Sequence, residues 1–317
     1  MIVTVTLNSA FARTITVPNF QRGQRHRASA GLPLAGGKGI NVARALKALD
    51  VPVVATGLAG GQAGLRIVER LTGEAILNDF VRIEGESRTT TAVVDPTNSS
   101  YTEINEWGPA VRAEELELFD AKLRYLSRAA QLVVFAGSLP RDVPDDFYAD
   151  AIRDLSRRHV PSALDCEGEA FRIGLEAEPF LVSPNQAEAE SLVGQEFHDD
   201  EDFVLGLDAI ADRGARNVII TTEGGCYALL REDRTVRRYR VDAPRLEPVS
   251  RVGAGDVLLA GFIAGWEGHR GHEASLREAV AAGAASVLEL GAGNFDPREA
   301  GRLKAGVTVT ELTEVAA

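Results

Sequence analysis

The chain has very little cysteine and fewer basic than acidic residues, and each shortage excludes classes of protein. Only two of its 317 residues are cysteines, Cys166 and Cys226, which are too few for a disulfide framework and lack metal-ligand spacing. Its 34 lysines and arginines face 46 aspartates and glutamates, for a formal net charge of −12. That balance argues against nucleic acid or an anionic membrane as a partner.

Long apolar runs are missing as well. No apolar stretch reaches the roughly 20 residues that span a bilayer. The opening M-I-V-T-V-T-L has neither the basic segment nor the apolar length of a signal peptide. The five histidines form no catalytic triad or metal-binding pattern. Together with the scarcity of cysteine, these absences predict a cytoplasmic protein without a membrane partner.

What the chain does have is an alternation of short apolar runs with longer amphipathic segments, which is typical of a mostly parallel sheet covered by helices. The predicted strands are residues 2–7, 51–56, 132–135, 162–165, 180–182 and 218–222. The predicted helices are residues 39–49, 64–71, 113–129, 144–158, 186–192, 203–213 and 274–289, and another that begins at residue 253. Segments 14–30 and 89–106 are predicted to form β hairpins outside the main sheet. With 45% hydrophobic residues, the chain can bury one large core, so we expect a single domain over residues 1–317.

The most informative motif is R-V-G-A-G-D-V-L-L-A-G-F at residues 251–262. Gly253, Ala254 and Gly255 allow backbone N–H groups to approach an anion at a helix N-terminus, whose dipole favours negative charge. Asp256 would stand beside that anion, where a carboxylate can take a proton from an attacking hydroxyl. The motif therefore predicts phosphoryl transfer. Its alternative is a glycine-rich turn in which Asp256 caps the helix.

A second glycine-rich segment, L-A-G-G-K-G-I-N-V-A-R-A-L, occupies residues 34–46 and also leads into a helical pattern. Glycines such as Gly37 permit close backbone approach. Lys38 supplies a positive charge, and Asn41 supplies a donor and an acceptor that suit sugar hydroxyls. We therefore expect this segment to bind a sugar or its phosphate, and the alternative is again a tight turn.

These two motifs together resemble those of the ribokinase-like (PfkB) carbohydrate kinases, and the resemblance spans nearly the whole chain. It is closest to the branch of 1-phosphofructokinases and tagatose-6-phosphate kinases, which is supported by T-V-T-L-N at 4–8, T-E-I-N-E-W-G-P at 102–109 and G-S-L-P at 137–140. The resemblance implies a three-layer α/β/α fold with a small β lid over the sugar. It also implies ATP-dependent phosphorylation of a sugar phosphate, with Asp256 as base and the amides of residues 253–255 as anion hole.

Further roles follow from the resemblance. The segment S-P-N-Q-A-E at 183–188 matches the family's magnesium and phosphate motif, so Asn185 and Glu188 are expected to hold Mg²⁺ through water. Without the resemblance, a Glu in a first helical turn is ordinary dipole stabilisation. Thr222 and Gly224, in T-T-E-G-G at 221–225, are expected at the nucleotide. Asn185, Gly253 and Gly255 are expected to contact it as well.

The substrate's own phosphate is expected to meet basic side chains. Arg88, in S-R-T-T-T, matches the arginine that holds this phosphate in sugar-phosphate kinases, and a guanidinium fork fits phosphate oxygens well. Lys38 and Ser138 are expected to contribute to the same binding site. The family's lid strands often form a dimer contact, so a homodimer through segments 14–30 and 89–106 is also expected.

One departure from the family pattern concerns the sugar directly. After Asn8 the branch typically has Pro-x-x-Asp, whose carboxylate grips sugar hydroxyls, whereas this chain has Ala12. Losing such a charged hydrogen-bond partner costs on the order of 1.5 to 3 kcal/mol. Two alternatives therefore stay open, a kinase of an unphosphorylated sugar or nucleoside and a sugar-binding regulatory relative with weak turnover.

Overall fold

The computed structural model describes residues 1–98, 100–232 and 235–312. The strands in these ranges are β1 (Ile2–Thr6), β2 (Ala10–Thr16), β3 (Ala30–Gly36), β4 (Val53–Gly60), β5 (Leu77–Ile83), β6 (Arg88–Asp95), β7 (Ser100–Asn105), β8 (Leu132–Ala136), β9 (Ser162–Asp165), β10 (Leu181–Val182), β11 (Asn217–Thr222), β12 (Gly225–Glu232), β13 (Thr235–Asp242) and β14 (Thr308–Leu312). The α-helices are α1 (Lys38–Ala48), α2 (Gly61–Gly73), α3 (Ala113–Leu126), α4 (Phe147–Arg157), α5 (Gly168–Leu175), α6 (Gln186–Val193), α7 (Asp200–Asp212), α8 (Ala254–Glu267), α9 (His272–Ser286) and α10 (Pro297–Leu303).

Within the described residues, the main sheet has ten strands in the order β14-β13-β12-β11-β10-β9-β8-β1-β4-β5. From β11 to β5 every neighbouring pair is parallel. The strands from β11 to β14 continue the sheet as an antiparallel meander. The parallel strands therefore all end at one edge, where open α/β sheets bind their ligands.

Helices cover both faces of this sheet, so the core has two layers. Neighbouring residues of β8 alternate between them: Val134 belongs to the layer that contains apolar residues of α1, α2, α8 and α9, whereas Phe135 belongs to the layer that contains those of α3 to α7. Helix α8 is buried along most of its length because it lies between the sheet, α1 and α9, which explains its almost continuous apolar sequence. The three-layer α/β/α fold predicted from the sequence is confirmed.

A second, four-stranded sheet has the order β3-β2-β6-β7. The predicted hairpin at 89–106 is confirmed as the antiparallel pair β6 and β7. The predicted strands within 14–30 are wrong in position, because the hairpin partners are β2 and β3 and residues 17–29 connect them. The connection cannot continue the ladder at Asn19, whose φ is 56°. There the Asp95 carboxylate accepts the N–H groups of Asn19 and Phe20 instead.

Several elements do not follow from the sequence pattern: β5, β12, β13, β14, α5 and α10. In the part of the chain that the structure describes, no helix is both long and apolar enough to cross a membrane.

Candidate active site

A cavity of about 710 Å³ lies between the carboxyl edge of the main sheet and the small sheet. Two of the parallel strands end in a polar residue that lines the cavity, Thr6 of β1 and Asp165 of β9. The small sheet supplies the opposite wall. The cavity brings together most of the residues singled out in the sequence: Gly37, Lys38, Asn41, Arg88, Ser138, Asn185, Glu188, Gly253, Ala254, Gly255 and Asp256.

The N-terminus of α8 is built around Gly253. This residue caps the helix with φ 80°, a conformation that L side chains rarely adopt. A Cβ atom at this position would also lie 2.8 Å from the Cβ of Ala292. The predicted helix start at residue 253 is confirmed to within one residue, since α8 begins at Ala254. The first backbone N–H groups of α8 are free of intrahelical partners, so this end of the helix can receive an anion.

The other predicted glycine-rich turn has the same construction. Gly37 caps α1 with φ 121°, and a Cβ atom there would lie 2.5 Å from the Cγ2 of Thr6. Glycine is therefore required where α1 leaves the small sheet and approaches β1. As a result Lys38 and Asn41, in the first turns of α1, face the N-terminus of α8 although more than two hundred residues separate the motifs in the sequence.

Asp256 lies in the first turn of α8 and is buried. Its Oδ2 accepts a hydrogen bond from the Nδ2 of Asn41 at 2.7 Å. Burial raises the pKa of the Asp256 carboxyl to about 7, and the nearby Asp165 carboxylate adds to the rise. The positive charge of Lys38 and the hydrogen bond from Asn41 act in the opposite direction on this pKa. A carboxyl with a pKa near neutrality is well matched to general base catalysis.

The ammonium group of Lys38 is bound by carboxylates. Its Nζ lies 2.8 Å from Asp165 Oδ1 and 3.4 Å from Glu188 Oε1. Burial alone would lower the pKa of Lys38, but Asp165, Glu188 and Asp256 together raise it above its usual range, so the side chain is charged. Lys38 therefore belongs to the acidic cluster around Asp256. Sequence reasoning missed Asp165, although its position at the end of a predicted strand was the signal that could have identified it.

Asn185 and Glu188 form a capping box at the start of α6. The Asn185 Oδ1 accepts the N–H of Glu188 at 2.9 Å, and the Glu188 Oε2 accepts the N–H of Asn185 at 2.9 Å. The other Glu188 oxygen is the one that meets Lys38. Burial raises the pKa of Glu188, and the charge of Lys38 counteracts that rise. Glu188 thus caps the helix and also lines the cavity, so the two interpretations of this residue do not exclude each other.

The described residues contain no group of three or more His, Cys, Asp or Glu side chains arranged to hold a metal ion. Glu188 supplies one carboxylate oxygen to the cavity beyond its cap. This donor set suits Mg²⁺, an ion that keeps several waters and takes other ligands from substrate phosphates. It does not suit an ion held entirely by protein side chains.

Arg88 begins β6 and is half-buried in the cavity wall. Its Nε donates to the backbone oxygen of Asn8 at 3.1 Å, and within the described residues the terminal nitrogens of the guanidinium have no hydrogen-bond partner. Burial lowers the pKa of Arg88, but a guanidinium stays charged at neutral pH. The Asn8 side chain donates to Ser138 Oγ at 3.1 Å, and its buried Oδ1 has no hydrogen-bond partner among the described residues. Asn8 thus links Arg88 to Ser138 and was not among the predicted site residues.

Two of the predicted nucleotide contacts lie apart from the others. Thr222 and Gly224 line a separate cavity of about 300 Å³ beside the β11–β12 turn, while Thr221 lines the main cavity. The reason is the strand itself, because adjacent residues at the end of β11 point to opposite faces of the sheet. Glu223, in the same turn, pairs with Arg251 at 2.8 Å and so connects the turn to the segment before α8.

Comparison with known proteins identifies the family. The pfkB family carbohydrate kinase profile matches residues 6–299. The chain belongs to this family. A 1-phosphofructokinase of Borreliella burgdorferi is 33% identical over 289 residues, covering 91% of this kinase and 92% of that protein. A 1-phosphofructokinase of Bacillus subtilis is 33% identical over 297 residues, covering 93% and 96%.

Solved structures agree with this assignment. The crystal structure of phosphofructokinase-2 from Escherichia coli, in complex with substrates and products, aligns with this kinase at a TM-score of 0.89 and 25% identity. The alignment covers 96% of this chain and 98% of that chain. The protein is therefore a carbohydrate kinase, as the paired motifs predicted.

At the position of the missing carboxylate, Ala12 lines the cavity of this kinase from β2. Gly36 faces it on β3, where a Cβ atom would lie 2.7 Å from the Cβ of Ala12. The same cavity is lined by the polar side chains of Glu103 and Asn105 from β7. The wall that lacks the family's Asp therefore still presents hydrogen-bonding groups, supplied by the edge strand β7 of the same sheet.

Proposed function

We propose that this kinase transfers the terminal phosphoryl group of ATP to a ketohexose that already carries a phosphate, such as fructose 1-phosphate or tagatose 6-phosphate. The observation that carries the proposal is a single cavity that contains both a buried carboxylate, Asp256, and an arginine, Arg88. The carboxylate suits the attacking hydroxyl and the arginine suits a phosphate. The 33% identical relatives named 1-phosphofructokinase support the same substrate class.

In this proposal Asp256 takes the proton of the attacking hydroxyl. The hydrogen bond from Asn41 holds the carboxylate in place. Because Asn41 is bonded to the carboxylate that the attacking hydroxyl approaches, Asn41 is also proposed to contact the sugar. As the hydroxyl oxygen bonds to phosphorus, negative charge on the transferring group is stabilised by the amides of Gly253, Ala254 and Gly255 at the helix N-terminus. Lys38 adds a positive charge at the same end of the cavity.

The structure suggests a division of roles between the two cations. Lys38 was expected to grip the substrate's own phosphate. Its bonds to Asp165 and Glu188, close to Asp256, support a position at the phosphoryl-transfer end of the cavity instead. Arg88, together with Ser138, is left as the site for the phosphate that the sugar brings. A guanidinium fork is also the better partner for that group.

ATP is proposed to lie across the edge of the main sheet, against Asn185, Gly253 and Gly255. The contacts proposed for Thr222 and Gly224 require the nucleotide to extend past the β11–β12 turn. Glu188, with Asn185 at the same helix N-terminus, would hold Mg²⁺ through water. The ion, when bound with ATP, neutralises charge on the phosphates.

We further propose that residues 1–317 form one kinase domain in which the small sheet is a lid over the sugar. The lid strands are then β2, β3, β6 and β7, at 10–16, 30–36, 88–95 and 100–105. The edge of the small sheet also suits a homodimer, because its edge strand β7 exposes Tyr101 and Ile104, and Trp107 just beyond it is 86% exposed.

A substrate panel tests the proposed reaction. ADP release is measured with ATP and each of fructose 1-phosphate, fructose 6-phosphate, tagatose 6-phosphate, fructose, ribose and a nucleoside. We expect kcat/KM for one ketohexose phosphate to exceed that for fructose by about 10²-fold or more, since an unfilled arginine site penalises a sugar without phosphate. The highest value for an unphosphorylated sugar or a nucleoside would contradict the proposal.

Ala12 is the observation that favours a second candidate, a sugar-binding relative with little turnover. The alanine removes a carboxylate that would orient sugar hydroxyls, and misplaced hydroxyls lower the rate more than the affinity. The two candidates differ in one measurement. Calorimetric binding of a sugar phosphate without ADP release on any substrate of the panel would support the second candidate, whereas ADP release at enzymatic rates contradicts it.

A further inference from the structure

Arg44 is a buried arginine that none of the roles above uses. It lies on α1 and is 7% exposed. Its Nε and Nη2 form a fork on Glu74, at 2.6 Å and 3.1 Å. Nη2 also donates to the backbone oxygen of Ala35 at 2.8 Å, and Nη1 donates to that of Ala292 at 3.0 Å and to Asn41 Oδ1 at 3.3 Å. Such a complete set of partners holds the guanidinium in one orientation.

The bond to Asn41 determines which way its side-chain amide points. A guanidinium can only donate hydrogen bonds, so Asn41 must turn its oxygen toward Arg44. Its Nδ2 then faces Asp256, where an ionised carboxylate can only accept. The donor and acceptor chemistry of the three groups is therefore consistent in one orientation of the amide and inconsistent in the other.

The bond to Ala292 fixes a second part of the site. Ala292 lies in the loop against which Gly253 packs, and a Cβ atom on Gly253 would meet both its Cα and its Cβ within 3.0 Å. The next residue, Gly293, approaches α1 so closely that a Cβ atom there would lie 2.8 Å from the Cα of Asn41. Arg44 thus ties α1 to the loop that supports the N-terminus of α8.

We propose that Arg44, anchored by Glu74, is a positioning residue that orients Asn41 toward the base and holds the loop at Ala292 beneath the anion hole. This proposal rests on the proposed function of Asp256. Arg44 does not touch the substrate, because its five bonds to protein atoms leave it inside the wall of the cavity. It acts through the direction of one amide and the placement of one loop.

Replacing Arg44 with Met tests the proposal through the pH profile. Without the guanidinium the Asn41 amide can turn its oxygen to Asp256, and the bond that lowers the pKa of Asp256 is lost. The other groups that face Asp256 are Asp165 from β9, Lys38 from α1 and Glu188 from α6, and the substitution leaves all three in place. We expect the acid limb of kcat/KM to move to higher pH by about one unit and kcat to fall about tenfold.

A matched control separates positioning from simple loss of stability. Arg238 is similarly buried and pairs with Asp208 at 2.8 Å, far along the sheet on β13. Arg238→Met should lower the melting temperature without moving the acid limb. An unmoved acid limb in Arg44→Met, with a stability loss like that of the control, would overturn the proposal. If Arg44→Met does not fold, the same pH profile is measured for Glu74→Gln, which weakens the anchor of Arg44 and keeps its guanidinium. An unmoved acid limb in Glu74→Gln would then overturn the proposal.

A double-mutant cycle gives a second reading. If Arg44 acts through Asn41, then Arg44→Met combined with Asn41→Ala should lose little more activity than Asn41→Ala alone. Losses that add in full contradict the proposal. Failure of the base role is distinguishable: wild-type turnover in Asp256→Asn removes the proposed function itself, whereas an inactive Asp256→Asn beside an unshifted Arg44→Met removes only the role of Arg44.

Discussion

Asp256 is a carboxylate that is both buried and close to other carboxylates. Aspartate is rarely buried unless it is paired, and here the compensation comes from the Asn41 amide and the charge of Lys38. These two groups do not offset the whole free-energy cost of burying the charge, so the pKa of Asp256 stays raised. Asp256 is therefore a base that ionises near neutral pH and has little solvent around it. General base catalysis needs a group of this kind.

The pH dependence of turnover should report this residue. A base works only when ionised, so kcat/KM should fall about tenfold per pH unit below pH ~7, rather than below pH ~4 as for an ordinary aspartate. The measurement is a pH series of initial rates at low sugar concentration and saturating ATP. In Asp256→Asn the residual rate should lack this limb. A wild-type profile that stays flat down to pH 5 would contradict the assignment.

Arg88 should decide the substrate class. Arg88→Ala should cost roughly 2 to 4 kcal/mol of transition-state binding for a ketohexose phosphate, because the removed contact is charged and partly desolvated. For an unphosphorylated sugar the change should be small. Arg66→Ala is a matched control, since Arg66 lies over the Phe11 ring and does not line the cavity. Equal losses on phosphorylated and unphosphorylated sugars would count against a phosphate site at Arg88.

At the scale of elements, the parallel strands other than β5 and the two glycine-rich turns could be predicted because they depend on local signals. Apolar runs mark β1, β8 and β11, and the residues at or next to the ends of these strands, Thr6, Gly137 and Thr221, line the cavity. Strand β13 was missed because the adjacent Arg237 and Arg238 interrupt the alternation of polar and apolar residues. The hairpin at 14–30 was misplaced because its strands lie mostly outside that segment, at 10–16 and 30–36, while the turn residues Pro18, Asn19 and Gly23 belong to the connection 17–29.

The parts of the site that could not be predicted depend on distances between segments far apart in the sequence. Nothing in the residues around Lys38 indicates that Asp165 will meet it, 127 positions later. Likewise Arg44 reads as an ordinary helical arginine until the fold brings Glu74 and Ala292 to it. The sequence also did not show which of Thr221 and Thr222 faces the main cavity, because adjacent strand residues point to opposite faces of the sheet.

The small sheet should respond to substrate as a unit. If β2, β3, β6 and β7 close over the sugar, then a saturating sugar phosphate should slow amide hydrogen exchange in these strands more than in β8 and β1 of the main sheet. Hydrogen exchange followed by mass spectrometry measures both sets in one experiment, and the main-sheet strands serve as the internal control. Identical exchange in the small sheet with and without the sugar phosphate would show that it does not act as a lid.

At the scale of the whole molecule, the net charge of −12 contrasts with a site that must receive anionic substrates. The fold meets this requirement locally, through the N-terminus of α8, Lys38 and Arg88, all of which line one cavity. Anionic ligands are therefore attracted by a few oriented groups and not by the surface as a whole. The central claim is that this cavity carries out phosphoryl transfer with Asp256 as its base.

Turnover of Asp256→Asn tests that claim most directly. The variant keeps the shape of the side chain and an acceptor for Asn41, and it removes the proton acceptor. With ATP and the best ketohexose phosphate, kcat should fall about 10²-fold or more while the affinity for ATP stays nearly unchanged. The pKa of Asp256 is about 7 in the folded state and 3.8 as the ordinary value, so its ionisation lowers stability as pH rises between these values and the full cost is present at pH 8. At pH 8 the variant should therefore unfold at the wild-type temperature or higher. A folded Asp256→Asn with kcat within a few-fold of wild type would contradict the account.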